Sequence, residues 1–154
     1  IVAAATSSHP AFSASYDLVT DESGATKRLS LTATLAERER QLSIARDEEN
    51  MWLVQHHTGE TSRAAYEGAL DVDVIFSPFF NALPIRRTGL YQRSETVAIP
   101  VVYVRLPELS VEAATITYRS AADGIKLHSP VAETTVTVDS NGFILDYPGL
   151  AERI

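Results

Sequence analysis

The sequence predicts a mainly β protein, mostly antiparallel and with little helix. Three observations carry that prediction. Apolar and polar residues alternate with period two along much of the chain, the mark of strands with one buried face. No segment sustains the apolar stripe of an amphipathic helix. Turn signals at Asp21-Glu22-Ser23-Gly24, Asn141-Gly142 and Pro148-Gly149 punctuate the alternation, and Asn-Gly is the strongest hairpin signal in the chain.

In order along the chain, Phe12, Ala14, Tyr16 and Leu18 alternate with Ser13, Ser15, Asp17 and Val19, and the Asp21–Gly24 turn ends this strand. Leu29, Leu31, Ala33 and Leu35 alternate with Ser30, Thr32 and Thr34 in the next. A charged turn at 37–39 leads to Leu42, Ile44 and Arg46, and Asn50 separates these from a short strand over 51–56. The segment 57–69 is polar and reads as a loop with at most one helical turn. Strand character returns over 70–76, 96–106 and 115–119. The β-branched run Thr134, Thr135, Val136, Thr137 and Val138 gives another strand. Asn141-Gly142 then turns the chain into 143–147, Pro148-Gly149 stops it, and 150–154 reads as a short tail of helical character. Strands in this number either stack as two sheets or curl as one long sheet around a core or cavity, and the alternation fits both.

At 154 residues the chain is expected to form one domain over 1–154. Its 45% apolar and 21% charged residues are an ordinary globular balance. Cysteine is absent, which excludes a disulfide, a thiol nucleophile and a thiolate metal site. The net charge of −7, from 20 acidic and 13 basic side chains, gains little from phosphate neutralisation, so nucleic acid and anionic membrane surfaces are poor partners. No apolar run approaches the roughly 20 residues of a membrane-spanning helix, so no integral membrane contact is expected. The opening IVAAATSSHP lacks the basic flank of a signal peptide, and a cytoplasmic location is the expectation.

The stretch DVDVIFSPFFNALPIRRTGL, residues 71–90, is the densest in residues that a plain β scaffold does not require. On a strand, Asp71 and Asp73 point to one face and Val72 and Val74 to the other. Two carboxylates could serve glycoside hydrolysis, but a solvated strand face, or pairing with Arg86, Arg87 or Arg105, is the commoner use of such a pair. Arg86 and Arg87 follow Leu83-Pro84-Ile85 and, read as extended chain, diverge, so at most one of them reaches a site shared with Asp73. Phe79-Phe80 at the Ser77-Pro78 bend suits a core plug more than a pocket gate, and Trp52 suits the core more than a pocket wall. Tyr103 and Arg105 share one face of their strand, while Val102, Val104 and Leu106 share the other. His56 and His57 diverge on a strand and His9 and His128 are isolated, so no metal site is expected. There is no nucleophile-elbow, P-loop or dinucleotide glycine pattern, and no cofactor is expected.

The blocks DVDVIFSPFFNALPIRR, VVYVRLPELSVEAATITYR and VDSNGFILDYPGL resemble the bacterial putative glycolipid-binding family, formerly a domain of unknown function. The resemblance runs from about Leu70 to the end, with weaker support between Phe12 and Trp52. It is most specific over 78–81, 83–87, 103–107 and 146–150. The resemblance implies a curled antiparallel sheet, a spiral β-roll or half-barrel similar to bacterial lipoprotein carriers, and it brings no catalytic residues with it. Family members begin with a further strand region bearing a Trp-Arg segment, after which this chain starts. The resemblance therefore also implies an open sheet edge, or one filled by a partner chain in a homodimer.

The leading functional expectation is non-enzymatic binding of a lipid or glycolipid in an apolar cavity of the curled sheet. Val72, Val74, Phe79, Val102 and Val104 are the candidate apolar lining, the opposite strand face being equally eligible. Asp73, Arg86, Tyr103 and Arg105 are the candidate polar rim. The alternatives are a β-sheet interaction or dimerisation module without a small ligand, and a carboxylate-dependent hydrolase using Asp71 and Asp73.

Overall fold

The computed structural model describes residues 1–6, 10–36 and 38–154. Glu37 of the charged turn and His9 lie outside the described residues. Strands β1 (Val2–Ala3), β2 (Phe12–Thr20), β3 (Thr26–Leu35), β4 (Arg38–Arg46), β5 (Trp52–Gln55) and β6 (Thr61–Ala64) form a six-stranded antiparallel meander in sequence order. Strands β7 (Asp71–Val74), β8 (Thr96–Arg105), β9 (Ser110–Ala121), β10 (Gly124–His128), β11 (Glu133–Val138), β12 (Ile144–Tyr147) and β13 (Ala151–Glu152) form a second sheet, also in sequence order. This seven-stranded sheet is strongly curled into a half-barrel. The chain thus uses both solutions open to its strands, stacking two sheets and curling one.

Period-two patterning builds the first core. Phe12 and Ala14 of β2, Leu29, Leu31 and Ala33 of β3, Leu42 and Ile44 of β4, and Trp52 and Val54 of β5 all turn one way. They meet Val72 and Val74 of β7 and Val102 and Val104 of β8. Trp52 is wholly buried and donates its indole N–H to the Ala69 carbonyl at 2.9 Å, so its polar edge is satisfied inside the core. The other face of the curled sheet forms a second core from Ile99, Val101 and Tyr103 of β8, Ile116 and Tyr118 of β9, Ile125 and Leu127 of β10, and Val136 of β11. Strands β7 and β8 are therefore buried on both faces, which is why 99–104 reads as a nearly continuous apolar run.

Strands β7 and β8 are parallel, the one departure from the antiparallel pattern, and a parallel pair requires a crossover connection. Helix α1 (Phe79–Thr88) supplies it, where the sequence reads as a rigid Pro turn followed by extended chain. Residues 80–85 of the helix are all buried, so its middle is covered on every side and no one-sided stripe exists to be read. Phe80 and Leu83 join the first core and Ile85 the second. Pro84 inside the helix removes one backbone hydrogen bond, a defect of about 3 kcal/mol in an isolated helix, and burial offsets it here. Gly89, at φ 68°, ends the helix in the left-handed region and donates its N–H to the carbonyls of Arg86 and Ile85.

Three smaller departures have local causes. The polar segment 57–69 contains β6 and a 3-10 turn at Tyr66–Gly68. All four residues of β6 are exposed at the sheet edge, so no buried face marks the strand in sequence. Strand β10 is five residues long and shows only Ile125 and Leu127 as buried positions. The 150–154 tail forms the edge strand β13, paired with β12, instead of helix.

Candidate functional site

Strands β8, β10 and β12 run in one direction because each is separated from the next by one antiparallel neighbour, and β7 is parallel to β8. Their carboxyl ends consequently gather at one end of the half-barrel. A cavity of about 280 Å³ lies there. Its walls are Asp73 and Val74 at the end of β7, Ile75, Phe76 and Ser77 in the segment before α1, Asn81 on α1 and Tyr103 on β8. The β10–β11 turn adds Ser129, Val131 and Ala132, the end of β12 adds Tyr147, and the β12–β13 turn adds Pro148, Gly149 and Leu150.

The polar side of the cavity is set by register. Asp73 stands beside Tyr103 in the parallel ladder, so both side chains emerge on the α1 side of the sheet. Asp73 is 6% exposed, and its Oδ2 accepts a hydrogen bond from Asn81 Nδ2 at 2.8 Å. The same amide nitrogen donates to the Tyr118 hydroxyl at 3.2 Å, tying β7, α1 and β9 together. Burial pushes the Asp73 carboxyl up to about 7; the Asn81 hydrogen bond opposes this, and the nearby charge of Asp71 adds to it. Burial also raises the phenols of Tyr103, Tyr118 and Tyr147, and the Asp73 charge reinforces each shift. All three remain neutral near neutral pH. The opposite walls, Val74, Ile75, Phe76, Val131 and Leu150, are apolar, and Val131 and Leu150 are exposed at 49% and 39%.

Asp71 has a different fate. It is completely buried and receives Arg87 Nη2 on its Oδ2 at 2.6 Å. Burial raises its pKa while the Arg87 hydrogen bond and charge lower it, and the net direction is upward. Asp71 does not line the cavity. The paired carboxylates are thus buried rather than solvated, one closed by an ion pair and the other facing a cavity.

The candidate residues separate into three places. Asp73 and Tyr103 of the polar set, and Val74 of the apolar set, line the cavity. Val72, Val102 and Val104 are wholly buried in the core between the sheets. Arg86, Arg105 and Phe79 are outside the cavity lining. Arg86 donates to the Asn141 carbonyl at 3.0 Å and lies 4.1 Å from the Phe143 ring centroid. Arg105 bonds Glu112 at 2.9 Å and lies 5.3 Å from the Tyr103 ring centroid. Because α1 is helical, Arg86 and Arg87 diverge by about 100° rather than lying on opposite faces, and among the described residues neither bonds Asp73. Phe79 is 40% exposed and stacks near Tyr16 with centroids 6.4 Å apart, whereas Phe80 is a core plug. Phe79 also borders a neighbouring groove of about 310 Å³ with Phe143, Ile144 and Leu145.

Sequence reasoning gives no site role to Asn81, Tyr147 or the β10–β11 turn, although the first two fall within the most specific blocks of the resemblance. Asn81 carried a readable signal, a lone amide within the apolar run 79–85. Among the described residues no group of three or more His, Asp or Glu side chains could hold a metal ion. No described helix is long and apolar enough to cross a membrane, a statement that leaves strands aside.

Comparison with known proteins bears on this architecture. No curated protein matches the chain. A crystal structure of a DUF1089 family protein from Pseudomonas aeruginosa at 1.80 Å resolution superimposes with a TM-score of 0.78 and 28% sequence identity, covering 94% of this chain and 78% of that one. The family model described as "Putative glycolipid-binding" matches residues 1–153, which takes in both sheets, the crossover helix and every wall of the cavity. By that match the chain belongs to the putative glycolipid-binding family.

Proposed function

We propose that this protein binds a lipid or glycolipid without transforming it, and that the polar head enters the cavity at the carboxyl ends of β7, β8, β10 and β12. The observation that carries this reading is the division of one cavity into a polar wall, Asp73, Asn81, Tyr103 and Tyr147, and an apolar wall ending in exposed Val131 and Leu150. An amphiphile matches both walls at once, its hydrocarbon leaving across the exposed residues. At about 280 Å³ the cavity sits just under the roughly 300–1,000 Å³ of most ligand pockets, so it suits one ring or a short chain segment rather than a whole glycolipid. A hydrolase reading has less support, because glycoside hydrolysis uses two carboxyl groups across one bond and Asp71 is closed off by Arg87.

The test is native mass spectrometry of the purified chain, before and after incubation with a mixed lipid extract. A discrete added mass that organic extraction removes is the expected result. Val131→Trp, at an exposed position on the cavity rim, should reduce the loaded fraction at unchanged melting temperature. A clean unliganded mass after incubation would overturn the proposal.

A further inference from the structure

Within the binding reading just given, on which this inference rests, the charges around the cavity discriminate among head groups. Asp73 is buried yet receives one hydrogen bond, from Asn81 to Oδ2, and its other carboxyl oxygen has no protein donor among the described residues. The cavity lining contains no Lys, Arg or His. The basic side chains of α1 and β8 are committed elsewhere: Arg87 to Asp71, Arg105 to Glu112 and Arg86 to the Asn141 carbonyl. Phe76, Tyr103 and Tyr147 add three aromatic rings to the same walls. The Tyr103 ring already attracts the Arg105 guanidinium at 5.3 Å, which illustrates the pull of such a ring on a cation.

An anionic head, a phosphate or a fatty-acid carboxylate, would meet a carboxylate here and no cation. A neutral head would gain hydrogen bonds alone. A cationic head gains the carboxylate and the ring faces together, in a site where low polarity strengthens both. We propose that the cavity is a receptor for amphiphiles with an ammonium head, the cation resting against the Asp73 carboxylate among Phe76, Tyr103 and Tyr147 and the hydrocarbon leaving past Val131 and Leu150.

The charge on Asp73 then governs affinity. The titratable groups around it are Asp71 on β7, Tyr103 on β8, Tyr118 on β9 and Tyr147 on β12, with Arg105 beyond the Tyr103 ring. The tyrosines stay neutral near pH 7 and Asp71 is held in its ion pair with Arg87 outside the cavity lining, so Asp73 is the carboxyl that faces the ligand. With its carboxyl near 7, the ionised fraction rises from about one tenth at pH ~6 to about nine tenths at pH ~8. A permanent cation should therefore bind roughly tenfold tighter at the higher pH.

The experiment is isothermal titration calorimetry of the full chain with octyltrimethylammonium, octyl glucoside and octyl sulfate, each below its micelle concentration, at both pH values. Octyltrimethylammonium should bind tightest at the higher pH and lose about tenfold at the lower, while the octyl glucoside affinity changes little. In Asp73→Asn the ratio of the two affinities should fall toward one and lose its pH dependence. Tyr147→Leu should lower the same ratio and serves as the second variant. Octyl glucoside binding as tightly as the ammonium, or an ammonium affinity indifferent to pH, would overturn the ammonium inference while leaving the amphiphile reading standing. Failure of all three probes in the wild-type chain would overturn both.

Discussion

Asp73 sits where a fold optimised only for stability would place a hydrocarbon. Its carboxyl is held near 7 by burial, against about 3.9 in an unfolded chain, so the folded state binds its proton more tightly. The sign follows directly. Below about pH 4 the group is protonated in both states and costs nothing; between about 4 and 7 the unfolded chain ionises first, and the folded state loses ground up to a plateau above 7. A shift of this size corresponds to about 4 kcal/mol at the plateau. Asp73→Asn retains an oxygen to accept from Asn81 and removes the ionisation, so it should be more stable than the wild type at pH ~8 and close to it near pH ~4, as measured by urea unfolding at both. Period two was enough to place Asp71 with Asp73 and Tyr103 with Arg105. The roles then diverge through the contacts that the fold makes. Arg87 takes Asp71, a pairing among the sequence expectations, and Glu112 takes Arg105 across the β8–β9 hairpin, whereas Asn81 comes to Asp73 through a helix that the sequence does not show and Tyr147 through a strand far along the chain.

Among elements, α1 and β10 were the hardest to read and for opposite reasons. The helix is buried around its middle, which erases the polar face that identifies helices, and Pro84 argues against one locally. Strand β10 is short and begins at Gly124, whose φ of +143° marks a tight return between β9 and β10. A side chain there would press on the backbone carbonyl of Val136 in β11, the next strand of the half-barrel. Gly124→Ala should accordingly be destabilising by about 2–4 kcal/mol in urea unfolding, since backbone must move to admit the methyl group. The long alternating strands β2, β3 and β4 were legible for the complementary reason: each has one buried and one wet face, and nothing but period two is needed to see it.

At the scale of the whole molecule, the two cores share walls. Strand β8 sends Val102 and Val104 into one and Val101 and Tyr103 into the other, and α1 divides Phe80 and Ile85 in the same way. Losing either core exposes the back of the other, so the two should melt together. Fluorescence of Trp52, a first-core residue, and near-ultraviolet circular dichroism of Tyr103 and Tyr118, second-core residues, should report coincident thermal transitions. Separated midpoints would show that the sheets unfold independently. The cavity, by contrast, is walled asymmetrically. One side belongs to β7, β8 and α1, elements packed against both cores. The other side is two short turns, β10–β11 and β12–β13, whose tips Pro130, Val131, Pro148, Gly149 and Leu150 face solvent. Residues could be inserted or exchanged in these turns without disturbing a single ladder pair of β7 to β9. The half-barrel is therefore a chassis with two replaceable jaws, whose length can change while the sheet behind them stays as it is.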